Sequence, residues 1–561
     1  MVTVRTRPAR HRTPHRRDLP VRQRSTFPRL LRPRLLRPLL LLAAGLSALG
    51  ATTAPPPAPA PAAGVTPLGA VIPAPASVTP GGAPYTLTRT TAVRVDSADR
   101  EVRDIGRYLA GLLRPSTGYP LPVVDDDAAR GGILLRLDRA ATALGDEGYE
   151  LRSARAGVTL TARAPAGLFR GVQTLRQQLP AAVEKRTVQP GPWRIAGGTV
   201  TDTPRYAYRG AMLDVSRHFF TVEQVKRYID QLALYKINKL HLHLSDDQGW
   251  RIAIDSWPRL TTHGGSTQVG GGPGGFYTKD DYREIVRYAA SRHQEVVPEI
   301  DMPGHTNAAL SSYAELNCDG VAPPLYTGTE VGFSTLCVRK EITYDFVDDV
   351  IRELAALTPG RYLHIGGDEA HSTSHADYLA FMDRVQPVVA KYGKTVIGWH
   401  QLTGARPAPG ALAQYWGLDR TSAAEKEQVA AAARAGTRLI LSPADRAYLD
   451  MKYDKDTPLG LSWAGYVDVR RSYDWNPGAY LAGVPETAVA GVEAPLWTET
   501  LSTSTHLDTM AFPRLPGVAE LGWSPAATHD WEAYRLRLAA QGPRFEALGI
   551  AYHRSAQVPW E

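Results

Sequence analysis

The sequence predicts an α/β protein whose larger part is a (β/α)8 TIM barrel, preceded by a smaller α+β domain. Three observations carry that prediction. Eight apolar runs of strand length recur within residues 204–550, helix-like stretches separate them, and each run ends in or leads to polar, acidic or aromatic residues. That is the pattern of a barrel whose reactive mouth lies at the C-terminal ends of its strands.

In order, the run over 211–215 ends in Ser216-Arg217-His218, that over 239–244 in Ser245-Asp246-Asp247, and that over 295–300 in Asp301-Met302-Pro303-Gly304-His305. The fourth, entered through Tyr362-Leu363, is His364-Ile365-Gly366-Gly367-Asp368-Glu369. Residues 395–398 lead to Trp399-His400, 411–415 to Trp416, 438–441 to Tyr448-Leu449-Asp450, and 491–496 to Trp497-Thr498-Glu499. Runs apolar on both faces suit a parallel sheet covered by helices. The glycine pair in the fourth lets the backbone turn sharply and present two acids.

The chain before the barrel reads in three parts. Residues 1–38 carry twelve Arg and one Asp, a net +11 that leaves the rest of the chain at −3 of the formal +8. A nucleic-acid partner is therefore not indicated. Residues 39–50 are apolar but fall short of the roughly 20 needed to span a membrane. Small residues and a Pro/Ala run follow at once. We read 1–54 as a signal peptide with a long basic head and 55–66 as a Pro/Ala-rich linker, which predicts a secreted protein with no stable membrane span after cleavage. Arg16-Arg17 lie too far from the apolar core to argue for twin-arginine export. Residues 67–203 alternate short strands (85–87, 132–137, 157–162) with helix-like spacing over 102–113 and 167–179. They contain no clustered acid, nucleophile or metal set, and are read as a non-catalytic α+β domain.

Within the barrel, Thr221 to Gln224 and Thr278 to Asp281 are helix starts, followed by apolar stripes through Val222, Val225, Ile229 and Leu232 and through Tyr282, Ile285, Val286 and Ala289. Residues 531–548 read as a closing helical segment and 551–561 as a tail. In an exported chain the two cysteines, Cys318 and Cys337, are most simply one disulfide closing a loop of about 20 residues. His241-Leu242-His243 has the spacing of a metal pair, but it precedes the strand end, so both rings should pack inside the barrel. No metal or cofactor is expected.

The mouth set is Arg217, Asp246, His305, Asp368, Glu369, Trp399, Trp416, Tyr448, Asp450, Trp497 and Glu499. Aromatic walls with a few directed charges suit a pyranose, which offers an apolar C–H face and a rim of hydroxyls. A phosphate ligand would call for a glycine-rich loop and more cations.

Four ordered motifs, Asp214 to His218, His243 to Trp250, Asp301 to His305 and His364 to Glu369, together resemble glycoside hydrolase family 20, the β-N-acetylhexosaminidases. The likeness is to secreted actinobacterial members and covers about residues 70–550. It implies an exo-acting, retaining hydrolase of terminal β-linked GlcNAc or GalNAc on chitooligosaccharides or glycans, in which the substrate's own acetamido oxygen is the nucleophile. By the same resemblance Glu369 is the general acid and base, and Asp368 holds the acetamido N–H. Tyr448 orients the acetamido carbonyl, and Asp246 with His305 backs Glu369. Trp399, Trp416 and Trp497 box and stack on the sugar, while Arg217, Asp450 and Glu499 read its hydroxyls. The alternatives are a disaccharide-releasing relative such as a lacto-N-biosidase and a sugar-binding protein without catalysis. A deeper pocket would mark the first and a missing acid the second.

Overall fold

The structure is a computed structural model that describes residues 64–96, 99–125 and 131–560. The expected signal peptide and most of the linker lie outside them. Seven strands, β1 (Ser77–Pro80), β2 (Val93–Val95), β3 (Val123–Asp125), β4 (Ile133–Leu137), β5 (Tyr149–Ala154), β6 (Gly157–Ala162) and β7 (Gly198–Asp202), form a mixed sheet in the order β1-β7-β5-β6-β4-β2-β3. Period-2 patterning decides which face is covered: Val158, Leu160 and Ala162 of β6 are buried, with partly exposed residues between them. Helices α1 (Arg100–Thr117) and α2 (Pro165–Gln178) pack there. Asp99 caps α1 by accepting from the Glu101 N–H, and Gly118, with φ of 66°, ends it.

Every residue of α2 from Gly167 to Gln178 is buried, because the helix lies between this sheet and the barrel. Arg170 donates to the His293 carbonyl at 2.6 Å and Gln177 to that of Leu234 at 3.2 Å. At Gly171 a Cβ would sit 2.3 Å from Leu160. The same junction buries charge. Lys236 meets Asp202 at 2.9 Å with both side chains wholly inaccessible, and Trp523 also donates to Asp202 at 3.0 Å. Glu147 pairs with Arg170 and Arg209, which outweigh the cost of burial and hold its carboxyl down to about 2.

All eight expected barrel strands are present: β8 (Tyr208–Asp214), β9 (Lys239–His243), β10 (Glu295–Glu299), β11 (Tyr362–His364), β12 (Thr395–Trp399), β13 (Leu412–Tyr415), β14 (Arg438–Leu441) and β15 (Val489–Leu496). Each runs parallel to the next, and β15 closes on β8, with Tyr208 opposite Gly491 and Leu213 opposite Leu496. β11 is the shortest because Gly366 and Gly367 leave the extended region at φ of 65° and 101°. A Cβ at Gly366 would fall 1.7 Å from an Asp301 oxygen, so no other residue fits there.

Both expected helix starts form. Gln224 accepts from the Thr221 N–H at 2.9 Å, while Thr278 and Asp281 cap one another at 3.0 and 3.1 Å. Two expectations need correction. The closing segment is two helices, Trp531–Ala539 and Gly542–Leu548, because Gly542-Pro543 cannot continue a helix and suits only the start of the next. The terminal residues do not trail away: Val558 is buried and the His553 ring stacks on Tyr453 at 4.0 Å.

Cys318 and Cys337 are disulfide-bonded. Their loop is tied to neighbouring strand ends: Gln248 donates to Gly328 at 2.9 Å, Ser334 to Asp247 at 2.5 Å, and Ser372 to Gly332 at 3.0 Å. Among the described residues no helix is long and apolar enough to cross a membrane.

Candidate active site

The turn after β11 builds the site. Asp301, at the tip of β10, accepts the Gly367 N–H at 3.0 Å, and Tyr378 donates to the Gly367 carbonyl at 2.8 Å. The turn throws the two following acids into the mouth. Glu369 has φ of 44°, a left-handed conformation that costs a side-chain-bearing residue energy and is held by its surroundings. Asp368 is buried; its carboxyl is pushed up to about 6 by that burial, opposed by His305 and reinforced by Glu369. Burial and the facing Asp368 also push the Asp301 carboxyl well above the usual carboxylate range.

His305, itself at φ of 56°, stands between two sets of acids. Its Nδ1 is 3.2 Å from Asp246; its Nε2 is 3.4 Å from Glu369 and 3.8 Å from Asp368. Although burial disfavours its charge, Asp246 and the mouth acids hold the ring well above the usual histidine range. Asp246 is anchored from behind by Arg217 at 2.7 Å and His243 at 2.6 Å. Arg217 in turn donates to Gln248 at 3.2 Å and lies over the Trp497 ring at 4.8 Å. Asp214 sets the backbone beneath it by accepting from the N–H groups of Ser216 and Arg217.

Arg217, Asp246, His305, Asp368 and Glu369 line a cavity of about 370 Å³ together with Glu499, Trp416, Trp497 and Tyr448. The Tyr448 phenol is raised by burial and by Asp368 nearby, and so keeps its proton as a donor. Burial raises Glu499 against the pull of Arg217. Two expected contacts lie deeper than the cavity wall. Trp399 is wholly buried, its ring 5.8 Å from Trp497 and 5.0 Å from His364. Asp450 is buried behind Trp497, whose N–H it accepts at 3.4 Å, and burial with nearby Glu499 raises its carboxyl.

Sequence reasoning missed four lining residues, Thr329, Val331, Leu461 and Trp463, and named Asp301 only as a strand end and motif residue, not as part of the mouth. Trp463 is 41% exposed and stands edge-on to both Trp416 and Tyr448 at 5.9 Å. An aromatic bracketed by Gly460 and Gly465 was the available signal.

His241 and His243 do pack inside the barrel. His241 meets Glu493 at 2.8 Å and Glu299 at 3.0 Å, and His243 meets Glu299 at 2.5 Å. These are hydrogen-bonded pairs: atoms that each lie about 2.0–2.2 Å from a shared tetrahedral ion stand farther apart than this.

The model of glycosyl hydrolase family 20, catalytic domain, matches residues 206–526, and that of glycosyl hydrolase family 20, domain 2, matches residues 69–203. The beta-N-acetylhexosaminidase of Cellulomonas fimi is 44% identical over 493 residues, covering 88% of this chain and 97% of its own. The solved GH20 beta-N-acetylhexosaminidase of Streptomyces coelicolor A3(2) is 76% identical with a TM-score of 0.87, over 89% of this chain and all of its own. A mutant Streptomyces plicatus beta-hexosaminidase, solved in complex with product (GlcNAc), is 75% identical with the same TM-score, over 89% and 99% of the two chains. By sequence, by fold and by this kinship, the chain belongs to glycosyl hydrolase family 20 and is a glycoside hydrolase.

Proposed function

We propose that this glycoside hydrolase is an exo-acting β-N-acetylhexosaminidase that releases single non-reducing terminal GlcNAc or GalNAc residues with retention of configuration, the substrate supplying its own nucleophile. One observation carries the reading: the reactive acids, Asp368 and Glu369, are neighbours on a single turn, and the other cavity acids are engaged. Asp246 is held by Arg217, His243 and His305, Asp301 by the Gly367 N–H, and Glu499 lies beside Arg217. An ordinary retaining site sets a second, nucleophilic carboxylate about 5 Å across the sugar, and family 20 is a recognised departure from that pattern.

In the proposed reaction Glu369 gives its proton to the glycosidic oxygen while the acetamido oxygen attacks the anomeric carbon and the leaving group departs. The oxazolinium so formed is opened by water, whose proton returns to Glu369. Asp368 accepts the acetamido N–H and offsets the developing positive charge; Tyr448 donates to the acetamido oxygen and fixes its line of attack. Trp416 and Trp497 wall the sugar with Trp399 beneath, Arg217 and Glu499 take its hydroxyls, and Asp450 backs Trp497 from behind. A cavity near the lower end of the usual range of about 300–1,000 Å³ favours one sugar over two.

Chromogenic β-GlcNAc, β-GalNAc and β-glucose glycosides test the reading together. The first two should turn over and the glucoside, lacking an acetamido group, should not. Chitooligosaccharides should yield the monosaccharide first; a disaccharide as first product would overturn exo release. We further infer export, supported by the basic head and short apolar core; an N-terminus retaining residues 39–49 on the secreted protein would refute cleavage.

A further inference from the structure

Beneath the mouth, carboxylates and imidazoles alternate through the barrel interior, hydrogen-bonded from His305 downward, with Glu369 in ion-pair range above it. From the top the order is Glu369, His305, Asp246, His243, Glu299, His241 and Glu493. The successive separations are 3.4, 3.2, 2.6, 2.5, 3.0 and 2.8 Å. Tyr208 and Gln414 donate to Glu493 at 2.7 and 2.8 Å and close the lower end. Each of the three rings turns both of its nitrogens toward carboxylate oxygens. A neutral imidazole has one N–H and one lone pair, and a lone pair aimed at a carboxylate is repelled, so this geometry calls for both protons on each ring, the ionised Asp368, 3.8 Å from the His305 Nε2, supplying the demand where Glu369 carries its own proton. The imidazolium charges, with Arg217 on Asp246, offset the carboxylates buried among them, which is how so many ions share a dry interior. The remaining neighbours are His364, whose Nδ1 lies 3.0 Å from the Gly366 N and 2.8 Å from Glu299 and so, by the same rule, carries a proton toward Glu299, and Asp301, which lies beside His243 and Glu299.

We propose that Glu299, which does not line the cavity, is a positioning residue for the acid step. It fixes His243 as a double donor, His243 fixes Asp246, and Asp246 aims His305 so that the Glu369 carboxyl is held in its proton-giving orientation. The proposal rests on Glu369 being the acid. No proton crosses the column: the one Glu369 gives goes to the leaving oxygen and is replaced from water.

The test compares two substrates of the same sugar, chitobiose and 2,4-dinitrophenyl β-GlcNAc, whose leaving group departs without protonation. General acid catalysis is worth about 10²- to 10⁴-fold, and its loss shows only where the leaving group needs a proton. In the full-length enzyme Glu299→Gln should lower kcat/KM on chitobiose by about 10- to 100-fold and on the dinitrophenyl glycoside by less than about threefold, with Glu299→Asp recovering part of the loss. Glu493→Gln, one imidazole farther away, should show the same selectivity at smaller size, and it carries the test if Glu299→Gln does not fold. Nitrogen-15 spectra of labelled histidine should show three doubly protonated rings in the wild type. Glu369→Gln is the control. If it lowers both substrates equally, Glu369 is not the acid and the proposal falls with that reading. If Glu369→Gln discriminates while Glu299→Gln and Glu493→Gln do not, or if the rings prove neutral, the proposal alone is overturned.

Discussion

Asp368→Asn should make the protein more stable and much less active, and the gain should depend on pH. The folded environment raises the Asp368 carboxyl from 3.8 to about 6, chiefly through burial. At 1.36 kcal/mol per pH unit, keeping that carboxylate ionised in place costs about 3 kcal/mol at neutral pH. The sign follows from which state binds the proton more tightly. Here the folded state does, so the cost is absent below pH 3.8, grows between 3.8 and about 6, and is full above that. Asparagine carries no charge and escapes it. Denaturant or thermal unfolding should therefore show Asp368→Asn more stable than wild type by up to about 3 kcal/mol at pH 7.5, a rise of a few degrees in Tm, and no different at pH 3.5. Its kcat should fall by about 10²- to 10³-fold, the usual loss when a charge-stabilising group leaves a transition state. Since only the ionised form does that work, wild-type kcat/KM should decline as pH falls through about 6. A variant less stable than wild type at pH 7.5, or shifted equally at both pH values, would refute the reasoning.

Thiol titration of the denatured, unreduced protein should find no free cysteine, and Cys318→Ser should lower stability by up to about 3 kcal/mol. Because the same loop carries Thr329 and Val331 to the cavity and braces Gln248, which braces Arg217, KM should rise more than kcat falls. Prolonged EDTA should leave turnover intact, as Arg217 and the acids carry the charge at the mouth; restoration by zinc after a loss would reopen His241 and His243 as ligands. Mass spectrometry with a fluorinated sugar that slows turnover should find no covalent adduct, and sugar attached to Asp368 would end the substrate-assisted reading.

The barrel was legible because each strand is buried on both faces and so prints a solid apolar run, and because Gly366 and Gly367 mark the turn that delivers Asp368 and Glu369. Trp463 was not, since it comes from an irregular loop with no periodicity to place it. Trp399 and Trp497 looked alike, each closing an apolar run, yet one is covered by its neighbours and the other faces the cavity. Glu299 and Glu493 escaped notice for another reason. A glutamate within a strand reads as solvent-facing, and only closure of the sheet brings both to His241.

The helix enclosed between the N-terminal sheet and the barrel makes the small domain inseparable from the enzyme. Deleting it would take Asp202 and Glu147 from Lys236 and Arg209 and open to water the apolar barrel face that α2 covers. A minimal catalyst cannot be made by trimming at residue 204. It would need a new polar skin where α2 lay. Although this domain contributes nothing to the catalytic cavity, gene fusions should carry it along with the barrel as one piece.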